Sequence, residues 1–453
     1  MTSSPEEVIR ALAAEGCERV KLAGVDTDGI LRGKYVSFAK LRSAVEKGFG
    51  FCDVIFGWDS GDVLYDNARY TGWHTGYPDT LARIDLSTLR RVPWEDGTAF
   101  FLCDFLGADG KPLAVSPRQA LKRVVDTAHG RGFEPVMAVE FEFFFFRETP
   151  HSLRAKGFRD LTPLTPGMFG YSILRASADQ PLVADILRLM KAYDCEIEGI
   201  HTETGPGVFE VALACDEAVR AADKAALFKT GVKEIAARHG LAVTFMAKWN
   251  ASLPGCSGHV HQSLFDRARR QNLFVDERTG KPSPLLDRYA AGLLATLPEL
   301  LPFYCPTINS YKRLVPGTWA PTSATWGHEN RTTALRLIAG PSPSSTRVEM
   351  RVTGSDVNPY LALAACLAGG LHGVDRDLEL PLETKGNAYE SKHGKPFPRS
   401  LESALPALRE SEVARAYLGA ELVDHYVATR EWEVREAQKA VTSFELERYF
   451  EAI

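Results

Sequence analysis

The sequence lacks the features that mark membrane, secreted and nucleic-acid-binding proteins. Its longest apolar run, LALAACLAGGL after Tyr360, is shorter than the ~20 residues that a membrane-spanning helix needs. The start, MTSSPEEVIR, is acidic and has no apolar signal-peptide core. A nucleic-acid-binding protein usually has a basic patch or a pI above ~9, and the net charge of −5 suggests no such partner. Eight cysteines without a CxxC pair indicate reduced, buried thiols, and we expect a cytoplasmic protein.

What is present is the composition of an ordinary globular enzyme, in two regions. The first 110 residues alternate short β-like runs with Gly-rich connections, and GADGKP at 107–112 is typical of a linker. After it, strand-like and helical patterns mix. We therefore predict an α+β protein with a small β-rich domain at 1–110 and a large α+β domain at 111–453.

Three helices in the larger region carry clear start signals. Ser116 before Pro117, with Gln119 three positions after the serine, predicts a capping box and a helix that ends near Gly130. A second helix is predicted from Asp216 to a C-terminal Gly240, and Asn358-Pro359 opens a third, apolar one.

Two carboxylates lie within the apolar run VMAVEFEFFFF. Residues two apart share one face of a strand, so Glu140 and Glu142 point the same way as Phe144 and Phe146. One alternative is a solvated strand edge. In a strand buried on both sides, two like charges need a cation or must take up protons, which indicates a metal site.

Two further glutamates flank a Gly- and Pro-rich turn in HTETGPGVFE. A hairpin there would bring Glu203 and Glu210 to one end of a sheet, although glutamates beside turns are more often surface residues.

SGHVHQSL places His259 and His261 on one strand face, and lone histidines are more often structural than ligands. SSTRVEMRV alternates Arg347, Glu349 and Arg351 with apolar residues, which also fits a half-exposed strand with an internal salt bridge.

Taken together, five glutamates and a histidine suffice for two divalent cations. Their oxygen-rich set suits Mg²⁺ or Mn²⁺ better than zinc. The arginines at 331, 336, 347 and 351 would place positive charge around a transferring phosphoryl group. No GxxxxGK[ST] motif is present, so a nucleotide would be held in another way. The pattern predicts a two-metal phosphoryl-transfer site, and an unrelated two-metal phosphohydrolase is one alternative.

Six motifs in order resemble the glutamine synthetase family: VEFEFFFF, HTETGPGVFE, SGHVHQSL, NSYKRLVPG, ENRTTALR and TRVEMRVTGSDVNPYLALAA. The resemblance is continuous from about 112 to 375 and weaker before it. It implies an N-terminal β-grasp domain, a catalytic domain with a curved antiparallel sheet, and a homo-oligomeric ring (a dodecamer) with active sites between subunits. It also implies an ATP- and Mg²⁺-dependent ligase that phosphorylates the γ-carboxylate of L-glutamate before an amine attacks.

The resemblance assigns roles to the motif residues. It implies two to three metal ions per site, held by two ligand sets: Glu142, Glu203 and Glu210 nearest glutamate, and Glu140, His259 and Glu349 beside the ATP phosphates. On the nucleotide side it implies His261, Ser263, Arg336 and Arg347. For glutamate and the transferring phosphate it implies Gly255, Arg313, Arg331 and Arg351, with Arg331, Arg351 and Glu349 acting in catalysis.

One departure concerns the second substrate. Ammonia-using members carry a glutamate in the loop after YKRLVPG, where this sequence has Trp319. Their ammonium-binding aspartate has no clear equivalent here, with Asp53 and Asp59 as candidates, whereas Tyr171 matches an aromatic residue of that pocket. We therefore predict a γ-glutamyl-amine ligase for an amine other than ammonia. Glutamine synthetase itself and a non-catalytic member of the family are the alternatives.

Overall fold

Two mixed β-sheets follow one another in a computed structural model that describes residues 4–453. The strands of the first sheet are β1 Arg19–Val25, β2 Leu31–Ser37, β3 Phe49–Cys52, β4 Asp79–Ile84, β5 Arg90–Val92 and β6 Thr98–Leu106. Their order is β2-β1-β6-β4-β3, with β5 also paired to β6. The β1–β6 pair is parallel and the others are antiparallel.

Alternation along these strands gives the first sheet two apolar faces. Phe101 and Phe105 of β6 lie in one core with residues of helices α1 Pro5–Ala14 and α2 Phe38–Lys47. Phe100 and Leu102 point to the opposite face and pack into the larger core of the remaining chain. Since the two regions share this contact, the domain division near residue 110 stays a prediction.

The second sheet carries the polar motifs. Its strands are β7 Phe133–Phe146, β8 Ile197–Thr202, β9 Val208–Leu213, β10 Asp216–Glu217, β11 Ala242–Thr244, β12 Val260–Asp266, then, after β13 Ser323–Ala324, β14 Trp326–His328, β15 Leu335–Ile338 and β16 Arg347–Met350. The main order is β14-β15-β16-β12-β7-β9-β8, with β10 and β11 on β7. Strand β17 Lys395–Pro396 pairs with β13 apart from it. All pairs except β14–β15 are antiparallel.

Eleven further helices follow the first sheet in the part of the chain that the structure describes. They are α3 Pro117–Gly130, α4 Pro150–Ala155, α5 Ile173–Ala178, α6 Gln180–Ala192, α7 Ala218–Arg238, α8 Pro284–Tyr304, α9 Pro359–Asp375, α10 Leu401–Glu410, α11 Glu412–Leu418, α12 Ala420–Lys439 and α13 Ser443–Tyr449. Helix α9 is buried on nearly all sides, as expected of a helix that is apolar all round. No helix among residues 4–453 combines the length and apolar character needed to cross a bilayer.

The predicted helices form, with corrections at their starts. Helix α3 follows Ser116, but the capping box is wrong, because the Ser116 N–H donates to the Leu113 carbonyl (3.1 Å) and Gln119 is buried. Helix α7 begins at Ala218 rather than Asp216, since Asp216 and its neighbour pair with β7. The Asn358 side chain caps α9 at the N–H of Tyr360 (3.0 Å), and that prediction is confirmed.

The cysteine prediction was partly wrong. All eight thiols are free, and five are buried. Cys17 and Cys52 are half-buried, however, and Cys215 is exposed at the end of β9. Spacing in the sequence gave no measure of exposure for these three.

Candidate active site

Strand register builds one polar face on the second sheet. Glu142 of β7 lies opposite Glu210 of β9, and Glu210 lies opposite His201 of β8. On the other side of β7, the backbone N–H of Glu140 donates to the His259 carbonyl (2.9 Å). The two predicted carboxylates of β7 therefore share a face, and the predicted hairpin of β8 and β9 brings two more beside them.

The polar face continues across the neighbouring strands. Glu349 of β16 lies opposite His261 of β12 and opposite Arg336 of β15. The alternate residues point to the other side of the sheet, where Phe141 and Phe143 of β7 are fully buried with Phe228 of α7. One side of the sheet is thus core, and the other carries the chemistry.

Glu140, His259 and Glu349 form a compact set, here called the arginine-flanked group, whose ligand atoms lie within 4.8 Å of one another. His259 Nδ1 is 3.4 Å from Glu140 Oε2 and 3.3 Å from Glu349 Oε1. Glu349 also accepts a hydrogen bond from Arg336 Nη1 (3.1 Å) and is ion-paired with Arg351. The group is therefore balanced by positive charge from the protein.

These contacts set the protonation of the group. Burial alone would raise the pKa of Glu349, but His259 and Arg351 outweigh it and lower the pKa to about 2. The pKa of Glu140 is likewise lowered, since His261 and His259 outweigh the effect of burial. Burial and Arg351 lower the pKa of His259. The two carboxylates are thus held in the ionised form, which is the form that binds metal ions.

His201, Glu203 and Glu210 form a second compact set, here called the acidic group. His201 Nε2 is 3.4 Å from Glu210 Oε1, and His201 Nδ1 is 3.7 Å from Glu203 Oε1. Glu142 adjoins it opposite Glu210, and its Oε2 accepts a hydrogen bond from the Ser257 N–H (2.5 Å). Burial, with the nearby Glu210 charge, raises the pKa of Glu142, and burial raises that of Glu203.

The donor sets fit divalent cations. Both groups offer carboxylate oxygens and one imidazole, which suits Mg²⁺ or Mn²⁺. His259 Nε2 is buried without a hydrogen-bond partner, so this nitrogen is not committed to another contact. The three carboxylates in and beside the acidic group have no arginine partner within 4 Å among the described residues, which is a costly arrangement unless a cation lies among them.

The groups line a cavity of about 580 Å³ whose rim is aromatic and basic. Tyr171, Trp319 and Arg331 line it and are all exposed, and the Tyr171 ring stacks on His201 at 4.2 Å between centroids. A recess of about 50 Å³ continues from the cavity and is lined by Gly255 and Arg313 among others. Such a cavity can admit a small ligand, with its polar groups in fixed positions.

The structure brings most of the predicted residues to this cavity or its recess. The exceptions are His261, Ser263 and Arg347, which line neither. Arg347 Nε donates to His261 Nδ1 (3.0 Å), and the Ser263 hydroxyl donates to the Thr346 carbonyl (2.9 Å). His261 Nε2 is 3.1 Å from Glu140 Oε1, so His261, which is bonded to Arg347, borders the arginine-flanked group. The individual roles of all these residues stay predictions.

His201 was not predicted from the sequence, and Asp53 and Asp59 were both candidates for the ammonium-binding aspartate. His201 stands two residues before Glu203, so the same period-two rule that paired the glutamates of β7 could have found it. Asp53 is buried and accepts a hydrogen bond from the Thr71 hydroxyl (2.7 Å), and Asp59 accepts from the N–H groups of Gly61 and Val63. Neither aspartate lines the cavity within this chain.

Comparison with known proteins supplies the family. The family model described as "Glutamine synthetase, catalytic domain" matches residues 114–449. The chain belongs to the glutamine synthetase family. It is 50% identical over 439 residues to "Type-1 glutamine synthetase 2" of Dictyostelium discoideum, covering 96% of this chain and 84% of the relative. It is 38% identical to "Glutamate--isopropylamine ligase" of a Pseudomonas species, covering 96% and 95%.

The fold agrees with that of a solved structure. A GmaS–ADP complex superposes with a TM-score of 0.85 at 27% identity, covering 99% of this chain and 100% of that one. The predicted α+β fold is thereby confirmed. The chain is a ligase of a family whose enzymes use ATP and divalent metal ions. An unrelated phosphohydrolase is excluded.

Proposed function

We propose that this glutamine synthetase family member is a γ-glutamyl-amine ligase, which joins the γ-carboxylate of L-glutamate to an amine other than ammonia. The observation that carries the proposal is Trp319, an indole at the rim of the cavity that holds both carboxylate groups. Different residues would activate glutamate and select the amine.

Activation of glutamate relies on charge. A carboxylate is a poor electrophile until it is phosphorylated, and bound divalent cations would supply Lewis-acid stabilisation of the transferring phosphoryl group. Glu140, His259 and Glu349 would hold one cation, and Glu142, Glu203 and Glu210 another. Arg336 and Arg351 already lie against Glu349, so their guanidinium groups are fixed where negative charge would build up. Arg331 and Arg313 would orient the substrate carboxylates.

The choice of amine depends on the loop that carries Trp319. No aspartate or glutamate occurs between residues 300 and 328. The next acid along the chain, Glu329, is ion-paired with Arg336, whose Nε donates to Glu329 Oε2 (3.0 Å). Trp319 is 63% exposed and has a φ of 60°, a left-handed conformation that bulky residues rarely adopt. The loop thus displays an apolar ring at the cavity where the family resemblance leads us to expect an acid.

Tryptophan in place of the expected acid favours an amine that carries carbon atoms. Burying an apolar side chain is worth ~1.5–3 kcal/mol, and a cationic amine over the ring face gains a further ~0.5–2 kcal/mol. Ammonium has no carbon to bury and would lose the acid that binds it. An aromatic amine arrives unprotonated and needs no base, whereas an alkylamine, with a pKa near that of lysine (~10.4), must lose a proton first.

Ammonia is the second candidate, and the relatives divide between the two. The relative at 50% identity is named a glutamine synthetase, which favours ammonia. The isopropylamine ligase at 38% identity favours an alkylamine.

The test is a panel of acceptors. Phosphate release with ATP, Mg²⁺ and glutamate would be measured with ammonia, alkylamines, diamines, polyamines, ethanolamine and anilines, and the products identified by mass spectrometry. We expect kcat/KM for at least one organic amine to exceed that for ammonia by tenfold or more. If ammonia is the best acceptor, the proposal fails. Absence of turnover with every amine would favour a non-catalytic protein.

A variant pair ties the selectivity to the indole. Trp319→Ala should lower kcat/KM for the preferred amine by about 10-fold or more, from the lost apolar contact, with a small effect on ammonia. Phe158→Ala is the matched control, since Phe158 is also 63% exposed, has a φ of 58° and does not line the cavity. Equal losses for all amines, or the same loss in the control, would contradict a role in selectivity.

We also propose that the enzyme is a homo-oligomeric ring with active sites between subunits, as the family resemblance implies. Light scattering after size-exclusion chromatography would measure the subunit number, and a monomer at micromolar concentration would overturn this expectation.

A further inference from the structure

The loop that carries Trp319 is bonded to a side chain from a distant part of the sequence. Tyr389 lies in a short 3₁₀ helix, Ala388–Glu390, and its hydroxyl donates to the carbonyl of the buried residue Ala320 (3.2 Å). The backbone N–H groups of Gly317 and Trp319 also lie near the Tyr389 oxygen. Tyr389 is half-buried and lines neither the catalytic cavity nor its recess, so it can affect a substrate there only through this loop.

The loop has few other contacts that could fix its conformation. Within residues 4–453, hydrogen bonds from residues 317–320 to any distant segment go to Tyr389 alone. The Thr318 hydroxyl donates to the Val315 carbonyl (2.7 Å), which is a contact inside the loop. Trp319 nevertheless has a φ of 60°. A tryptophan stays in this left-handed conformation only where its surroundings hold it, and the hydrogen bond from Tyr389 is placed to do so.

The segment that carries the tyrosine is itself fixed. Asn330 Nδ2 donates to the Gly386 carbonyl (2.9 Å), and the Ala388 N–H donates to the Thr332 hydroxyl (3.0 Å). A few residues further on, strand β17 of the same segment pairs with β13. Asn330 and Thr332 flank Arg331, which lies at the rim of the catalytic cavity. The tyrosine therefore stands on a part of the chain that is bonded beside the site, and its hydroxyl can hold the loop in one place.

We propose that Tyr389 is a positioning residue for the amine substrate. Its hydroxyl fixes the Ala320 carbonyl, and the loop then presents the Trp319 indole at the rim of the catalytic cavity. This inference rests on the proposed function, in which the indole selects an amine that carries carbon atoms. The hydrogen bonds of Tyr389 reach neither the arginine-flanked group nor the acidic group, so phosphoryl transfer itself does not depend on it.

Tyr389→Phe removes only the hydroxyl and takes this donor away from the Ala320 carbonyl. The indole should then leave its place for part of the time. We expect KM for the best acceptor among isopropylamine, ethanolamine and aniline to rise about three- to tenfold, as for the loss of one hydrogen bond. KM for glutamate, and kcat at saturating amine, should change by less than about twofold, because the metal-binding groups are untouched.

Steady-state ADP formation measures these constants, alone and in a double-mutant cycle with Trp319→Ala. If Tyr389 acts through the indole, adding Tyr389→Phe to Trp319→Ala should change KM for the amine by less than about twofold. Tyr426→Phe is the matched control, since the Tyr426 hydroxyl also donates to a backbone carbonyl, that of Pro302 (2.8 Å), and Tyr426 lines neither the cavity nor its recess. This control should keep the constants of the parent protein.

Hydrogen exchange measured by mass spectrometry tests the hydrogen bond without any amine. The amides of residues 317–320 should exchange about threefold or more faster in Tyr389→Phe than in the parent protein or in Tyr426→Phe. The inference is overturned if exchange there is unchanged, if KM for glutamate rises as much as that for the amine, or if the effects of Tyr389→Phe and Trp319→Ala multiply.

The two measurements also separate this inference from the proposed function. Unchanged exchange in Tyr389→Phe, together with a preference for an organic amine, would reject the role of Tyr389 alone. Faster exchange together with a preference for ammonia would reject the proposed function and keep Tyr389 as the residue that holds the loop.

Discussion

The arginine-flanked group and the acidic group lie on the same sheet face but balance their charge in different ways. Glu349 contacts Arg336 and Arg351, and its pKa is low. The carboxylates of Glu142, Glu203 and Glu210 have only one histidine among them, and the pKa values of the first two are raised. The protein's own arginines offset the charge of the first group, whereas the second must bind a cation or take up protons.

The largest effect should follow from removing a carboxylate of the acidic group. With Glu210→Ala we expect kcat to fall by about 10³-fold or more, since a lost metal ion costs several kcal/mol of transition-state stabilisation. Steady-state ADP formation measures this, and Mn²⁺ binding by electron paramagnetic resonance shows whether metal is lost in parallel.

A glutamate of the neighbouring strand provides the control. Glu198 of β8 is exposed and lies outside the cavity, so Glu198→Ala should keep near-normal activity. Near-normal activity in Glu210→Ala would contradict the assignment of the acidic group as metal ligands.

A smaller effect is expected in the affinities of the two groups for metal ions. Without nucleotide, the acidic group should bind Mn²⁺ at least about tenfold more tightly, because Arg336 and Arg351 repel a cation at the other group. Titration of the metal-free protein should show two classes of site. Glu203→Gln should remove the tight class and Glu349→Gln the weak one, and the reverse assignment would contradict the charge argument.

The pH dependence of stability is a third and weaker way to test how the acidic group differs from the arginine-flanked group. The folded-state pKa of Glu142 is raised above its unfolded value of about 4.3. Above that pH the unfolded chain releases this proton first, so the metal-free protein should lose stability as the pH rises, by up to about 1.4 kcal/mol per pH unit, until Glu142 ionises in the folded state.

Urea denaturation with a chelator, from pH 5 to 8, measures this slope. Glu142→Gln should reduce it relative to the parent protein, and saturating Mg²⁺ should do the same. An unchanged slope in Glu142→Gln would show that other groups determine the pH dependence.

The smallest effect is expected at the rim of the acidic group. Tyr171→Leu removes the ring stacked on His201, a contact worth about 0.5–1.5 kcal/mol, so KM for the amine should rise a few-fold. Tyr171→Phe keeps the ring and should stay near normal. If both variants behave alike, the stack is not what positions the amine.

Local rules were enough to predict much of the site. Side-chain alternation put Glu140 and Glu142 on one face, and the TGPG turn predicted the hairpin of β8 and β9. The same rules could not distinguish which polar residues open into a cavity: Ser263 and Arg347 share faces with site residues but make internal hydrogen bonds. That distinction depends on strand order, since β16 pairs with β12 from almost ninety residues away.

Strand β7 places the active-site carboxylates and the core phenylalanines at alternate positions along one segment. A slip of one residue in its pairing would turn Glu140 and Glu142 into the core and Phe141 and Phe143 into the cavity. A chain folded in the wrong register would therefore be unstable as well as inactive. Misfolded copies of this enzyme should thus be open to proteolysis, and few of them should persist as stable but defective subunits.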